Sequence, residues 1–195
     1  MIVVATTGFP RMMGVVFQLL ETCVVATYGG ATWQRALQAV GSEGAYATHQ
    51  RYDDEQFDAL VAVIASDLGI SGQAAHRWFG EAAIPHFYSM APQFFDGHRD
   101  SWSFLLTLND IIHPQVRSLY PGAHAPDFDF SSDDDGALVI GYRSPRRMCA
   151  FAEGLIMASM RHYGELPALT HRLCMHHGAS LCEFVLPAPE GGQGP

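Results

Sequence analysis

The hydrophobic pattern of the chain changes period near Phe128. Before this point, apolar residues recur at helical spacing, and glycines and prolines divide the pattern into several helices. After it, apolar and polar residues alternate in two runs, 128–130 and 138–142, separated by the acidic turn 133–136, which predicts a β-hairpin. A second hairpin is expected around Gly178. We therefore predict an α+β fold, in which a helical N-terminal half packs on a C-terminal antiparallel sheet of two hairpins plus one helix.

The length of 195 residues suits one domain. We expect it to span 13–187, with an N-terminal extension at 1–12 and a disordered tail at 188–195. The formal net charge of −9 argues against binding to nucleic acid or to an anionic membrane surface. The chain starts without a signal-peptide pattern and contains no apolar run of membrane-spanning length. These features predict a cytoplasmic protein with reduced or metal-bound cysteines.

The sequence makes predictions about helices in three segments of the chain. The segment 87–95, with prolines nearby, is predicted to be broken helix or loop. A helix is predicted from Ser101 or Ser103 to His113, where Pro114 follows directly. Because the residue before a proline is pushed away from the α region, this helix should kink there or restart with Pro114 as its first residue. The helix between the hairpins is predicted over 146–163.

Tyr142, Ser144 and Arg146 alternate along the end of the first hairpin. In an extended strand they would share one face and present a phenol, a hydroxyl and a guanidinium to the same ligand. Such donors match carboxylates through charge-assisted hydrogen bonds, although a solvated edge strand would show the same spacing. The apolar setting of His113 suits either a metal ligand or an ordinary core histidine. Together, the histidine and the anion clamp are what a haem pocket requires.

Two motifs carry a resemblance to a known family. The pattern H-x-x-V-x-x-L-Y-P-G-A-x-x-P-x-F begins at His113, and Y-x-S-x-R follows at Tyr142. Both resemble the haem nitric oxide/oxygen binding (H-NOX) domain found in soluble guanylate cyclase and in bacterial gas sensors. The segments M-G-V-V-F, W-F-G and F-F extend the similarity over roughly 13–186. The resemblance implies that haem b lies between the two halves of the fold.

The resemblance also implies roles for individual residues on the proximal side of the haem. His113 would be the axial ligand of the haem iron. Tyr142, Ser144 and Arg146 would hold the propionates, and Pro126 would press on the porphyrin and help to distort it.

On the distal side, the resemblance implies a pocket without hydrogen-bond donors. Phe151 occupies the position of the tyrosine that oxygen-binding members carry, and Leu20 occupies that of its supporting tryptophan. Neither side chain can donate a hydrogen bond to bound oxygen. The expected ligand is therefore nitric oxide, with carbon monoxide as a further candidate. Since 195 residues leave no room for an effector domain, we expect a separate partner, either a histidine kinase or a cyclic-di-nucleotide enzyme.

Three cysteines and a histidine form a second candidate site. Cys174 and Cys182 flank Gly178 at equal separation, Cys149 lies near the start of the preceding helix, and His171 precedes Cys174 as H-x-x-C. Three thiolates and one imidazole make a closed tetrahedral zinc site, and several bacterial members of the resembling family carry one at this position. Reduced core cysteines and a cross-strand disulfide between Cys174 and Cys182 are the alternatives.

The histidine of this set is ambiguous, because His171 and Cys174 point in opposite directions from a regular strand. His176 shares the face of Cys174, whereas His171 fits only if a bulge or a strand end intervenes. The resemblance favours His171. A complete set of four protein ligands leaves no position for a catalytic water, so no enzyme is expected. The alternative function is a zinc or thiol redox sensor in which haem is secondary.

Overall fold

The computed structural model describes residues 11–188. Its N-terminal half is mostly helical. The elements are β1 (Arg11–Met13), α1 (Gly14–Tyr28), α2 (Gly30–Val40), β2 (Arg51–Asp53), α3 (Asp54–Leu68) and α4 (Gly72–Met90). Strands β1 and β2 pair antiparallel, so Arg11 and Met12, which were expected in the extension, lie in a strand. The rest of that extension and the tail from 189 onward lie outside the described residues.

The C-terminal half is built on a four-stranded antiparallel sheet with the order β3-β4-β6-β5. The elements are α5 (Ser101–Leu105), a π-helical turn (Leu108–Ile112), α6 (His113–Leu119), β3 (Asp127–Ser132), β4 (Leu138–Arg143), α7 (Cys149–His162), β5 (Thr170–Leu173) and β6 (Cys182–Leu186). Hairpins β3–β4 and β5–β6, with α7 between them in the chain, confirm the predicted α+β fold.

Two hydrophobic cores fill the molecule. One lies among the N-terminal helices around Phe17, Phe57 and Phe79, and the other lies between α7 and the sheet around Ile140 and Phe184. The cores adjoin along α4 and α7. Among residues 11–188, no single helix is both long and apolar enough to cross a membrane. Helices α3 and α4 meet that criterion only as a pair, which is bent by 101°.

Helix α4 is longer than the sequence suggested. It runs through Pro85 to Met90, so the prediction of a broken helix or loop was wrong for the first part of 87–95. Ser71 accepts a hydrogen bond from the Ala74 N–H and caps the helix start. Packing against α7 keeps the later turns helical, since tertiary contacts override the local penalty of a proline.

The segment leading to His113 is not one helix. After α5 ends, the Thr107 carbonyl accepts from the N–H groups of both Ile111 and Ile112, which gives the wide π-helical turn. Helix α6 then begins at His113 with Pro114 in its first turn, one residue before the predicted restart with Pro114 as the first residue. The expectation that His113 avoids the α region was wrong. Its φ of −64° and ψ of −38° are helical, because its N–H bonds to the Leu108 carbonyl.

Helices α4 and α7 touch backbone to backbone at two glycines. A Cβ atom at Gly154 would lie 2.0 Å from the Arg77 carbonyl oxygen, and one at Gly80 would lie 2.2 Å from the Phe151 carbonyl oxygen. No side chain fits at either separation. The crossing therefore fixes the register of α7 on α4.

Replacing Gly154 by alanine is expected to lower the free energy of unfolding by roughly 1–3 kcal/mol, because the helices must separate to admit the methyl group. The melting temperature should fall by roughly 2–4 °C for each kcal/mol. Thermal unfolding followed by circular dichroism measures both quantities. Gly72→Ala is the control, since Gly72 is also helical but has open space at its Cβ position. Equal stability of the two variants would contradict the tight crossing.

Candidate functional site

His113 is a half-buried imidazole at the start of α6. Its ring stacks on Phe128 of β3, with the centroids 5.7 Å apart. Burial, helped by the nearby Arg117 charge, lowers the pKa of His113 to about 4, so the ring is neutral at pH 7. Its buried Nδ1 has no hydrogen-bond partner among residues 11–188. A neutral imidazole with an unsatisfied nitrogen fits the role of an iron ligand.

Tyr142 lies close to the Phe128 ring that stacks on His113. Tyr142 is buried in β4, with its ring centroid 5.6 Å from that of Phe128. Burial raises the pKa of Tyr142 to about 12, against the opposing effect of a hydrogen bond with Ser144. Strand β4 ends at Arg143, however, so the expectation that one strand face carries Tyr142, Ser144 and Arg146 was wrong beyond that residue.

Arg146 is held by protein groups on three sides. Its Nε donates to the Asp54 carboxylate at 2.7 Å, Nη1 donates to the His124 carbonyl at 3.1 Å, and Nη2 donates to the Arg11 carbonyl at 2.7 Å. The Arg146 and Asp54 side chains are only 12% and 14% exposed, so this is a largely buried ion pair. If a haem propionate binds Arg146, Asp54 has already oriented the guanidinium for it. Asp54 was not identified as a site residue from the sequence.

A cleft opens beside this ion pair. It has a volume of about 240 Å³, and Arg146 and Pro145 line one part of it. Asp54, Glu55 and Asp58 line another part, and burial raises the pKa of Asp58. The cleft thus places three carboxylates beside Arg146, which is the only arginine among the described residues that line it.

The residues expected on the two sides of the haem belong to different cores. Leu20 is buried among the N-terminal helices, and Phe151 packs on Phe79 of that core with the ring centroids 4.8 Å apart. Tyr142 belongs to the core beside the sheet. Pro126 is half-buried directly before β3. This division agrees with a ligand between the halves, while the individual contacts of Leu20, Phe151 and Pro126 with haem remain predictions.

The second candidate site is assembled as the sequence suggested. One ligand atom from each of Cys149, His171, Cys174 and Cys182 lies within 4.8 Å of the others. We call these four residues the Cys/His cluster. Zinc–sulfur bonds of about 2.3 Å in a tetrahedron separate two sulfurs by about 3.8 Å. The Sγ atoms of Cys149 and Cys174 are 3.8 Å apart. The donor set and its spacing fit a tetrahedral metal ion.

A β-bulge explains why His171 lies beside the three cysteines of the cluster. The pairing of β5 with β6 shifts register between His171 and Leu173, which turns His171 to the side of Cys174. His176 instead contacts the Arg147 carbonyl oxygen, with Nε2 at 2.8 Å. The Nε2 atom of His171 is buried without a hydrogen-bond partner among the described residues. The structure therefore places His171, rather than His176, beside the three cysteines.

Two thiols of the cluster, those of Cys149 and Cys182, favour the protonated form in the metal-free chain. Burial is the main cause that raises the pKa of Cys149 and of Cys182. All four cysteines of the chain are free, so the structure contains no Cys174–Cys182 disulfide. The backbone N–H of Met175 donates to the Cys182 sulfur at 3.2 Å, an interaction that would stabilise a thiolate. Metal binding here would release protons.

Comparison with known proteins identifies the family. The profile described as Haem-NO-binding matches residues 13–171, which include His113 and the Tyr-x-Ser-x-Arg motif. The chain belongs to the Haem-NO-binding family. Members of this H-NOX family are haem-based gas sensors rather than catalysts.

Solved H-NOX structures have the same fold. A crystal structure of an H-NOX protein from S. oneidensis in the Fe(II)NO ligation state is 27% identical, with a TM-score of 0.83 over 90% of this chain and 98% of that chain. An NMR structure of the Shewanella oneidensis domain in the Fe(II)CO state is also 27% identical, with a TM-score of 0.81 over 90% and 98%. The Fe(II) unliganded H-NOX protein from K. algicida, at 20% identity, shares the fold with a TM-score of 0.81 over 94% and 100%.

Proposed function

We propose that this H-NOX protein is a haem-based nitric oxide sensor that excludes oxygen and regulates a separate signalling partner. The observation that carries the proposal is the apolar character of Leu20 and Phe151, the residues that correspond to the distal tryptophan and tyrosine of oxygen-binding members. Oxygen needs a hydrogen-bond donor for stable binding, whereas nitric oxide does not. Carbon monoxide, which is also weakly polar, is a further candidate ligand.

The signalling step follows from the position of His113 in the chain. His113 would hold the iron of a bound haem, which would supply the atom that binds nitric oxide. His113 begins α6, which is half-buried at His113 and Val116 and exposed at its other residues. Release of His113 from the iron would therefore loosen α6 from the sheet at little cost in buried surface, a ligand-driven shift between two states. By resemblance, the partner that detects the shift is a histidine kinase or a cyclic-di-nucleotide enzyme.

The electronic spectrum of the reduced protein tests this proposal. Nitric oxide should shift the Soret band, and equilibration with air should leave no stable oxygen complex before the iron oxidises. A persistent oxygen complex, or the lack of any Soret band after reconstitution with haem, would contradict the proposal.

Adding a hydrogen-bond donor on the distal side of the haem is expected to allow stable oxygen binding. The double variant Leu20→Trp/Phe151→Tyr introduces a hydroxyl and its supporting indole on the distal side. One hydrogen bond to a polarised ligand contributes about 1.5–3 kcal/mol, which corresponds to a roughly 10–150-fold slower dissociation of oxygen. Stopped-flow spectroscopy measures this rate. Phe79→Tyr is a matched control, because Phe79 packs against Phe151 but was not predicted to contact the ligand.

A second function, zinc or thiol redox sensing, is favoured by the Cys/His cluster. Three sulfurs and an imidazole within 4.8 Å of one another make a donor set for zinc, and zinc-bound thiolates can be oxidised. This function predicts that Cys174→Ala abolishes a peroxide response while His113→Ala leaves it intact. The nitric oxide sensor predicts that His113→Ala abolishes the response to nitric oxide.

A further inference from the structure

Glu153 is a carboxylate of α7 that lies beside the Cys/His cluster. Its side chain is 13% exposed, and its Oε2 atom lies between two groups. Arg77 of α4 donates to it from Nη2 at 2.9 Å, and Nδ1 of His171 lies 3.6 Å away. A carboxylate this deeply buried requires partners, and both of these partners come from other elements of the fold.

The backbone arrangement sets the position of Glu153. Cys149 and Glu153 are four residues apart on α7, so they share one helix face, and the carboxylate lies one turn from a thiol of the cluster. On the α4 side, the glycine crossing brings the Arg77 carbonyl oxygen against Gly154, next in sequence to Glu153. The same contact therefore brings the Arg77 side chain within reach of the carboxylate.

The His171 ring divides its two nitrogens between two surroundings. Nδ1 faces Glu153, and Nε2 is buried without a hydrogen-bond partner among the described residues. With Nδ1 turned to the carboxylate, Nε2 is the nitrogen left to bind a metal. Histidine ligands commonly donate their second N–H to a carboxylate, which fixes the tautomer and the ring orientation. A movement of about half an ångström would bring the 3.6 Å separation into hydrogen-bond range.

We infer that Glu153 is the positioning residue of the Cys/His cluster, where it orients His171 for metal binding and links the cluster to α4 through Arg77. This inference rests on the metal site proposed above. It gives Glu153 a role separate from that of a simple helix–helix ion pair. Loss of the carboxylate should weaken metal binding even though all four ligands remain.

A second ion pair between α4 and α7 provides a matched control. Arg161 donates to Glu81 at 3.0 Å, and this pair includes neither His171 nor any cysteine of the cluster. Glu153→Gln and Glu81→Gln thus each remove one ion pair from the same helix crossing, with side chains of unchanged shape. Only the first variant also removes the negative charge that faces His171, because glutamine keeps a neutral oxygen acceptor.

The experiment measures zinc affinity of the full-length chain by competition with a chromophoric chelator, and the cobalt(II) spectrum of the substituted site. Glu153→Gln is expected to weaken zinc binding 10–100-fold and to shift the cobalt ligand-field bands, whereas Glu81→Gln should change the affinity less than about twofold. Glu153→Gln should lower the stability of the metal-free protein more than Glu81→Gln, because Glu153 is 13% exposed and Glu81 is 31% exposed, so the cobalt spectrum is the readout that is specific to His171.

The outcomes distinguish a failure of the role inferred for Glu153 from a failure of the proposed metal site. If wild-type protein binds zinc, and the two variants bind it equally well, Glu153 is only a helix–helix contact and the inference is overturned. If wild-type protein binds neither zinc nor cobalt, the metal site is itself wrong, and the role of Glu153 falls with it.

Discussion

Replacing His113 by glycine is expected to remove the bond between the protein and the haem iron while the fold is retained. The side chain is half-buried, and no hydrogen bond of its Nδ1 within residues 11–188 would be lost. The visible spectrum of the reduced variant should change to that of haem without a protein ligand. Added imidazole should restore the wild-type spectrum by filling the space left by the ring. The response of the protein to nitric oxide should be abolished, with or without imidazole, because the ligand is no longer attached to α6.

His98 provides the control for this experiment. It is also half-buried and also contacts a phenylalanine, Phe104, with the ring centroids 5.9 Å apart. His98→Gly should therefore reproduce any general loss of packing while the spectrum stays unchanged. An unaltered spectrum of His113→Gly in the absence of imidazole would show that another residue binds the iron.

Removal of metal from the Cys/His cluster is expected to destabilise the protein strongly. The four residues of the cluster come from α7, β5, the turn after it and β6, so a bound ion would connect the helix to the second hairpin. Zinc present at 100–1,000 times its dissociation constant raises the free energy of unfolding by about 3–4 kcal/mol. A chelator should therefore lower the melting temperature by roughly 6–16 °C. Calorimetry with and without chelator measures this shift.

A pair of cysteine variants separates metal binding from packing. Cys182→Ala and Cys23→Ala each remove a buried thiol, but only Cys182 belongs to the cluster. The melting temperature of Cys182→Ala should no longer respond to chelator, whereas Cys23→Ala should retain the full response. A chelator response that persists in Cys182→Ala would mean that the stabilising metal binds elsewhere.

Local sequence signals predicted the parts of the molecule that depend on neighbouring residues. The alternation around Phe128 and the glycine at 178 were sufficient for both hairpins, because strand pairing across short turns is a local property. The conflict between His171 and Cys174 left a bulge or a strand end as its two solutions, and the structure contains the bulge. The cluster could be anticipated because three of its four members lie on this hairpin.

Features that depend on distant residues were not predictable in this way. Asp54 and Arg146 are 92 positions apart, and no periodicity connects them. The end of β4 at Arg143 is set by its partners, since β3 begins opposite that residue and β6 begins opposite Tyr142. The path of α4 through Pro85 likewise depends on α7, whose packing contributes more than the local penalty of a proline.

The glycine crossing holds α4 and α7 together tightly, whereas α6 has no contact of this kind. Close-packed backbones cannot slide past each other in small steps, because every intermediate position creates overlap. We therefore expect α7, which carries Phe151, Cys149 and Glu153, to keep its place when ligands change. Helix α6 has no such contact and keeps most of its residues in solvent. An antibody or a spin label attached to α6 would report the liganded state, and one attached to α7 would serve as its fixed reference.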